Sequence, residues 1–309
     1  MADPSPISSF LPAIVFVNLT AGAGRVRSII PGIQKVFESA SVPAEFVSVG
    51  SAEEIASGAL TAIQDGKRML FALGGDGTFQ ELVNAAYGAD VVLGVLPAGG
   101  GNDFAAALML PVDPISAAEA VLRGHPRTVD LARARTADGR VRLYLGGGGA
   151  GIDAEAARYA IGAFRHLPGR LRYVSSALRA FCSHRSLKVR LDFPQSDLPS
   201  IETKSLLAAV LNTPTYGAGI KLAPEARLDD GWLEAVIVEE LNALQVLAVL
   251  PRLLTSGELR SPHVKRFRVQ SVTLTTDRPC MFHGDGEILG PTPVEIEVVP
   301  RAIRVLAPL

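Results

Sequence analysis

The chain has 309 residues, enough for about two domains and a sizeable core. Its 30 Lys and Arg against 31 Asp and Glu leave a formal charge of −1, which excludes bulk attraction to nucleic acid and makes any basic patch local. No apolar run reaches the roughly 18 residues that span a bilayer, and Met1 to Leu11 lacks the charged start and apolar centre of a signal peptide. Cys182 and Cys280 stand apart without metal spacing, so a cytoplasmic chain with reduced thiols is expected. Five scattered histidines give little support to a zinc site or a Ser-His-Asp hydrolase.

The first part alternates strand and helix signals. The spacing predicts strands over Ile14–Asn18, Ala44–Val49, Arg68–Leu73 and Val91–Leu96, with helices over Val26–Ser39, Ala52–Gln64, Thr78–Tyr87 and Ser116–Arg123. That order argues for an open parallel sheet with helices on its faces. Around Gly124–Asp130 the pattern changes. Strands are then expected over Thr128–Ala134, Val141–Gly147, Leu187–Phe193, Ser205–Leu211, Leu233–Val238, Arg266–Thr275, Pro279–His283 and Val294–Val299, interrupted by helical signals over Ala154–Arg185 and Leu241–Ser256. Short strands with turn residues between them are the mark of an antiparallel sandwich.

Three strand ends carry the informative residues. The run Met69 to Leu73 stops at Gly74-Gly75-Asp76-Gly77-Thr78. Glycines there are expected to permit positive φ and to let a ligand approach without a Cβ in the way, so that successive amides converge on an anion. Asp76 beside a phosphate needs either a divalent cation between them or a proton to accept. A tight strand-to-helix turn capped by Asp or Thr is the plainer alternative. The second strand end is Leu96-Pro97-Ala98-Gly99-Gly100-Gly101-Asn102-Asp103, and Asn18-Leu19-Thr20-Ala21-Gly22-Ala23-Gly24 makes a third. In an open parallel sheet such ends face the ligand crevice. Asn18 and Asn102 are candidates for ribose or phosphate contact or are loop caps, and Asp103 is expected to be the N-cap of the helix through Ala105.

These loops resemble the diacylglycerol kinase catalytic-domain family, which includes bacterial lipid kinases, sphingosine kinases and ceramide kinases. The likeness extends over about residues 14 to 308 through Asn212-Thr213-Pro214-Thr215-Tyr216-Gly217-Ala218-Gly219, Pro224 to Gly231 and Asp285-Gly286-Glu287. It implies a nucleotide domain of phosphofructokinase and NAD-kinase type over residues 1–130, a β-sandwich acceptor domain over 131–296, and a last segment, 297–309, that returns to the first domain. It further implies transfer of the γ-phosphoryl group of ATP, with Mg²⁺, to a lipid hydroxyl such as that of diacylglycerol or a sphingoid base. Asp76, Asp285 and Glu287 become the catalytic acids. The nucleotide falls to Asn18, Thr20, Gly22, Gly74, Gly75, Gly77, Thr78, Glu81, Gly99, Gly100 and Asn102. A structural divalent ion falls to Asp230 with the carbonyls of Arg227 and Trp232, an Asp-Asp-Gly turn before the strand at Leu233 being the alternative. A lipid substrate at the membrane surface, transient peripheral membrane contact and a homodimer complete the expectation.

Two positions depart from the family pattern. Gly99-Gly100 stands where Gly-Thr is usual, which removes a hydroxyl near the phosphates, and Asn18-Leu19 stands where Asn-Pro is usual. A kinase of a soluble acceptor such as NAD or a sugar phosphate, and a non-catalytic nucleotide- or lipid-binding protein, are the competing functions. Gly146-Gly147-Gly148-Gly149-Ala150-Gly151 satisfies a dinucleotide fingerprint, but no Asp or Glu occurs between Glu155 and Asp192 to hold a ribose, so the run is read as close backbone packing. The acid-free stretch instead carries Arg158, Arg165, Arg170, Arg172, Arg179 and Arg185 among apolar residues, as a contact with an anionic membrane would, or as a solvated helix face would.

Overall fold

A computed structural model describes residues 7–152, 175–176, 179–180, 186–217 and 219–309. Apart from residues 175–176 and 179–180, the predicted helical stretch Ala154–Arg185, with most of its arginines, lies outside the described residues. The chain forms two compact units, Met1–Val129 with Arg301–Leu309, and Asp130–Pro300. No helix among the described residues is long and apolar enough to cross a membrane.

The first unit is an α/β layer structure. Strands β1 (Ala13–Asn18), β2 (Ala44–Val49), β3 (Met69–Gly74) and β4 (Val92–Pro97) alternate with helices α1 (Val26–Ser39), α2 (Ala52–Gln64) and α3 (Asp76–Ala86). β1 lies between β2 and β3, and β3 between β1 and β4, all parallel. The strands β3 and β4 are buried at every position and β1 at all but the last, as expected where helices cover both faces of a sheet. Side-chain size sets the spacing of the layers. A Cβ on Gly94 would lie 2.2 Å from the Phe71 ring, and one on Gly32 of α1 would lie 2.6 Å from Ile115 of α5 (Pro114–Arg123). Registers Val17↔Leu73 and Gly74↔Pro97 bring the carboxyl ends of β1, β3 and β4 level, so three loops leave the sheet at one edge.

The second unit is an antiparallel β-sandwich. It holds β6 (Val141–Tyr144), β7 (Gly147–Gly151), β8 (Leu187–Asp192), β9 (Ile201–Leu211), β10 (Leu233–Glu239), β11 (Val264–Val269), β12 (Ser271–Thr276), β13 (Met281–Gly284) and β14 (Glu287–Pro291). A helix over Ala243–Ser256 interrupts them, its start closed by a reciprocal capping box between Asn242 and Gln245. β5 (His125–Thr136) and β15 (Val294–Ala307) each have residues in both units. Within the second unit β7, β8 and β10 pair with β9, and β13 pairs with β7 and β14. Val189, Leu191, Val210, Ala235, Leu274, Phe282 and Ile296 lie in its core, each large side chain contributing about 1.5–3 kcal/mol by burial.

Four expectations need correction. The strand expected over Arg266–Thr275 is two, because Val269 ends the pairing with β10 and Ser271 begins the pairing with β15, while the Gln270 carbonyl accepts Val298 N–H at 2.8 Å. Val141–Gly147 likewise divides into β6 and β7. The strand expected to stop at Val299 continues to Ala307, pairing antiparallel with β12 near Glu297 and then parallel with β4 at Arg304 and Val305. The helix expected from Thr78 begins at Asp76.

Candidate functional site

In the first unit the three loops are locked together by backbone approach. None of Gly74, Gly75 and Gly77 has positive φ, and Gly75 is extended at φ −93°. The conformational reason for these glycines therefore fails, and the steric one takes its place. A Cβ on Gly99 would lie 2.5 Å from Gly75 Cα, one on Gly74 would lie 2.5 Å from Thr78 Oγ1, and one on Gly22 would lie 2.8 Å from the Ala98 carbonyl oxygen. Real Cβ atoms do not come so close, so the β1, β3 and β4 loops meet only because those positions lack side chains. Gly22 alone of these four also needs its left-handed backbone, at φ +59°. Ala98 N–H, donating to the Gly74 carbonyl at 2.7 Å, ties the second loop to the first.

Polar side chains finish the lock. Asn18 Nδ2 donates to Thr78 Oγ1 at 3.0 Å, while Asn18 Oδ1 accepts from Thr20 N–H at 3.0 Å and Thr20 Oγ1 at 2.7 Å. Asn102 uses both ends of its amide on Gly99, accepting from its N–H at 3.0 Å and donating to its carbonyl at 3.1 Å. Gly75 is the N-cap of α3 and supplies no side-chain cap, at a helix end whose dipole favours an anion. Gly77 and Glu81 lie on α3, Asp76 is its first residue, and Gly100 is exposed between Gly99 and Asn102.

Asp103 is not the cap of the short helix α4 (Asp103–Ala107). Asn102, in the left-handed region at φ 58°, holds the N-cap position without capping through its side chain. The cap comes from Asp76, whose two carboxylate oxygens accept the amides of Asp103 at 3.3 Å and Phe104 at 3.4 Å. Asp76 thereby joins the glycine loop of β3 to the loop after β4, a role no spacing in the sequence could announce.

In the second unit, Asp285 and Glu287 flank the turn between β13 and β14, with Asp285 at φ 51° and Gly286 at φ 90°. Pairing of His283 with Gly149 and Gly284 with Gly148 carries Asp285 to the level of Gly147, whose carbonyl accepts Asp285 N–H at 2.9 Å. Its carboxylate then accepts three backbone amides: Leu145 at 2.6 Å, Gly146 at 2.8 Å and Gly147 at 3.2 Å. The glycine run reads as packing and is also a cradle. A Cβ on Gly147 would lie 2.4 Å from Leu211 Cδ2, one on Gly148 would lie 2.6 Å from the Phe282 ring, and one on Gly146 would lie 3.1 Å from Asp285 Oδ1. Beneath it, buried Tyr144 donates to the Val210 carbonyl at 3.1 Å. Burial holds its phenol well above the usual value, and the negative charge of Asp285 adds to that.

Asn212 was legible only as part of a motif, and the structure gives it a task. Fully buried, it donates to the carbonyls of Leu145 and Asp130, both at 2.9 Å, and its own N–H reaches the Gly146 carbonyl at 2.7 Å. It thus fixes the strand end that presents the cradle amides. Asp130 in turn accepts Gly231 N–H at 2.7 Å. In the neighbouring turn, Asp230 accepts Trp232 N–H at 3.1 Å and pairs with Arg268 at 2.8 Å, and Arg268 stacks 5.1 Å over the Trp232 ring. These residues hold a guanidinium where the resemblance implies a divalent ion with Arg227, Asp230 and Trp232, so they do not fit that ion as they stand.

The described geometry is a glycine-locked loop set in an α/β unit, followed by an amide-held Asp-Gly-Glu turn in a β-sandwich. Residues 12–134 match the model of the diacylglycerol kinase catalytic domain, and residues 148–307 match the YegS C-terminal NAD kinase beta sandwich-like domain. The chain belongs to the diacylglycerol kinase catalytic-domain family. A Mycobacterium tuberculosis (strain CDC 1551 / Oshkosh) protein named diacylglycerol kinase is 29% identical over 248 residues, 80% of this chain and 79% of its own. Proteins of the same name from Staphylococcus carnosus and Bacillus subtilis are each 26% identical over 299 residues, 96% of this chain and 95% and 96% of theirs. Two solved structures from Bacillus anthracis str. Sterne superpose with TM-scores of 0.76 and 0.72 at 19% identity, covering 96% of this chain and 97% and 96% of theirs. That likeness establishes the fold, and the sequence relatives place the chain among kinases.

Proposed function

We propose that this kinase-family chain transfers the γ-phosphoryl group of ATP, with Mg²⁺, to the hydroxyl of a lipid of the diacylglycerol or sphingoid type. The observation that carries it is the Gly74–Thr78 turn, held by Gly99 and Asn18 so that the uncapped start of α3 is presented to an anion. The name diacylglycerol kinase, borne by relatives that match 80% of this chain or more, supports a lipid acceptor.

The residues divide the work as phosphoryl transfer requires, which is positioning and charge stabilisation. The α3 amides and Thr78 bind phosphate oxygens, and Asn18 and Asn102 hold the loops that carry them. Among the described residues no three His, Cys, Asp or Glu side chains gather as a metal cage. Asp76, the acid at the glycine turn, would help hold magnesium, an ion bound largely by substrate phosphates and water with one or two carboxylates. Bound magnesium supplies charge neutralisation on the phosphates. The lipid oxygen bonds to the γ-phosphorus as the bond to the β,γ-bridging oxygen breaks, ADP leaves, and the hydroxyl proton goes to a carboxylate. Asp285 has its oxygens committed to three amides and serves as the fixed anchor of the turn. Glu287 is exposed and its carboxylate has no hydrogen bond or ion pair among the described residues, so it is assigned as the proton acceptor. Work on a lipid acceptor brings transient contact with the membrane surface from the cytoplasm.

The test is transfer of labelled phosphate from ATP to diacylglycerol and sphingosine in mixed micelles, alongside NAD and sugar acceptors. Magnesium-dependent lipid product is expected. Label on soluble acceptors alone overturns the lipid assignment, and nucleotide binding without turnover on any acceptor overturns the kinase.

A further inference from the structure

We infer that Arg25 is a phosphate-binding residue of this same reaction, its guanidinium neutralising the nucleotide's triphosphate at the three strand-end loops. The inference rests on the reading that these loops hold the nucleotide.

The charge of the loops makes the demand. Over residues 18–25, 74–81 and 97–105 the acids are Asp76, Glu81 and Asp103, and Arg25 is the one base. Without it the loop set carries a formal −3 and repels the polyanion it is built to receive. One or two magnesium ions offset part of that, and a fixed cation is the remaining means by which kinases stabilise charge on the transferring group.

The geometry meets the demand. Arg25 follows the helical turn Ala21–Gly24 and precedes α1. Its own N–H reaches the Gly22 carbonyl at 3.4 Å and its Nε donates to the same oxygen at 3.1 Å, so the side chain is folded back over the β1 loop. Gly22 is the residue that packs against the Ala98 carbonyl of the β4 loop, and the guanidinium is therefore tethered where two of the three loops meet. With Nε occupied, the two terminal nitrogens have no protein partner among the described residues. They form the planar fork that takes phosphate oxygens bidentately. The position also costs stability when empty. Arg25 and Arg27 stand at the amino end of a 14-residue helix with no acid in its first turn, where the macrodipole disfavours cations. An anion bound there removes that cost.

Affinities of the full-length protein for ATP, ADP and adenosine, with magnesium, test this by calorimetry. Arg25→Gln is expected to weaken ATP by roughly tenfold or more, as for loss of hydrogen bonds to a charged group, and to leave adenosine unchanged. Arg25→Lys should recover part of the loss, because it keeps the charge without the fork. Arg27→Gln, at the same helix end, should shift ATP far less. Equal weakening of ATP and adenosine by Arg25→Gln would mean a collapsed loop and overturns the inference, as does unchanged ATP affinity. Unchanged ATP affinity with lost binding to phosphatidylcholine vesicles containing phosphatidate would assign the cation to a lipid phosphate instead. If the unaltered protein binds neither ATP nor adenosine, the nucleotide reading itself fails and this inference falls with it, an outcome distinct from failure of Arg25 alone.

Discussion

Replacing Asp285 removes the acceptor for three amides at once, and the structure sets the size of the effect. Leu145, Gly146 and Gly147 are buried, and their N–H groups donate to one half-buried carboxylate at 2.6, 2.8 and 3.2 Å. A hydrogen bond to a charged group contributes about 1.5–3 kcal/mol, and a buried donor left alone costs about 1–3 kcal/mol. The two short bonds dominate, and partial exposure of the carboxylate lets water replace some of the loss. Asp285→Ala should therefore cost about 3–5 kcal/mol locally, a large part of the 5–15 kcal/mol that holds a typical domain together. Asp285→Asn keeps one oxygen and tolerates the left-handed backbone, but turns an NH₂ towards one amide, so about half that loss is expected. Hydrogen exchange at the amides of residues 145–147 is the suitable assay, because it reads this site whether or not the two units unfold together. At about 1.4 kcal/mol per decade, Asp285→Ala should speed exchange there by roughly two to four orders of magnitude. The order alanine worse than asparagine should hold in phosphoryl transfer as well. Native protection at these amides in Asp285→Ala would refute the cradle.

Gly99→Ala sets a Cβ 2.5 Å from Gly75 Cα and 2.8 Å from Asn102 Oδ1; overpacking of this kind costs about 1–3 kcal/mol, and thermal melts with nucleotide titration should show lower stability and weaker ATP binding. Unaltered values in both would mean that the loops do not need their close approach. Asn212→Ala removes two side-chain donors from the carbonyls of Leu145 and Asp130, and about 2–4 kcal/mol should be lost in denaturant midpoints, with transfer reduced at unchanged ATP affinity. Glu287→Gln should abolish most transfer yet leave melting within about 0.5 kcal/mol of the parent, as for a surface side chain; full activity would return the base role to another acid. Tyr144 supplies the pH test. Burial, and then the charge of Asp285, raise its folded value well above that of a free phenol, so its contribution is complete below about pH 10, where the unfolded phenol titrates. Above that the unfolded chain binds one proton fewer and stability should fall by up to about 1.4 kcal/mol per pH unit. Tyr144→Phe should flatten that fall in urea titrations between pH 9 and 11, and an unchanged slope would exclude Tyr144 as its source.

Much of the architecture follows from local chemistry that the sequence displays. Apolar runs that give way to glycine-containing loops mark β1, β3 and β4, because a strand buried on both faces has no polar alternation to obscure its limits. The boundaries of α1, α2 and β2 match their periodicity for the same reason that any amphipathic segment declares its own length. The Gly74–Thr78 and Asp285–Glu287 segments were equally visible as candidates. What each residue does there was not. Gly75 and Gly99 lack side chains because two loops 24 residues apart in the chain press backbone against backbone, and steric exclusion between distant segments has no local signature. Asp76 caps a helix 27 residues further on, and Asp285 is fixed by amides about 140 residues before it. Main-chain N–H groups look alike in every residue, so only the register of β13 on β7 decides which of them a carboxylate meets. The break at Gln270 and the length of β15 have the same origin, since a strand ends where its partner does rather than where its own residues change.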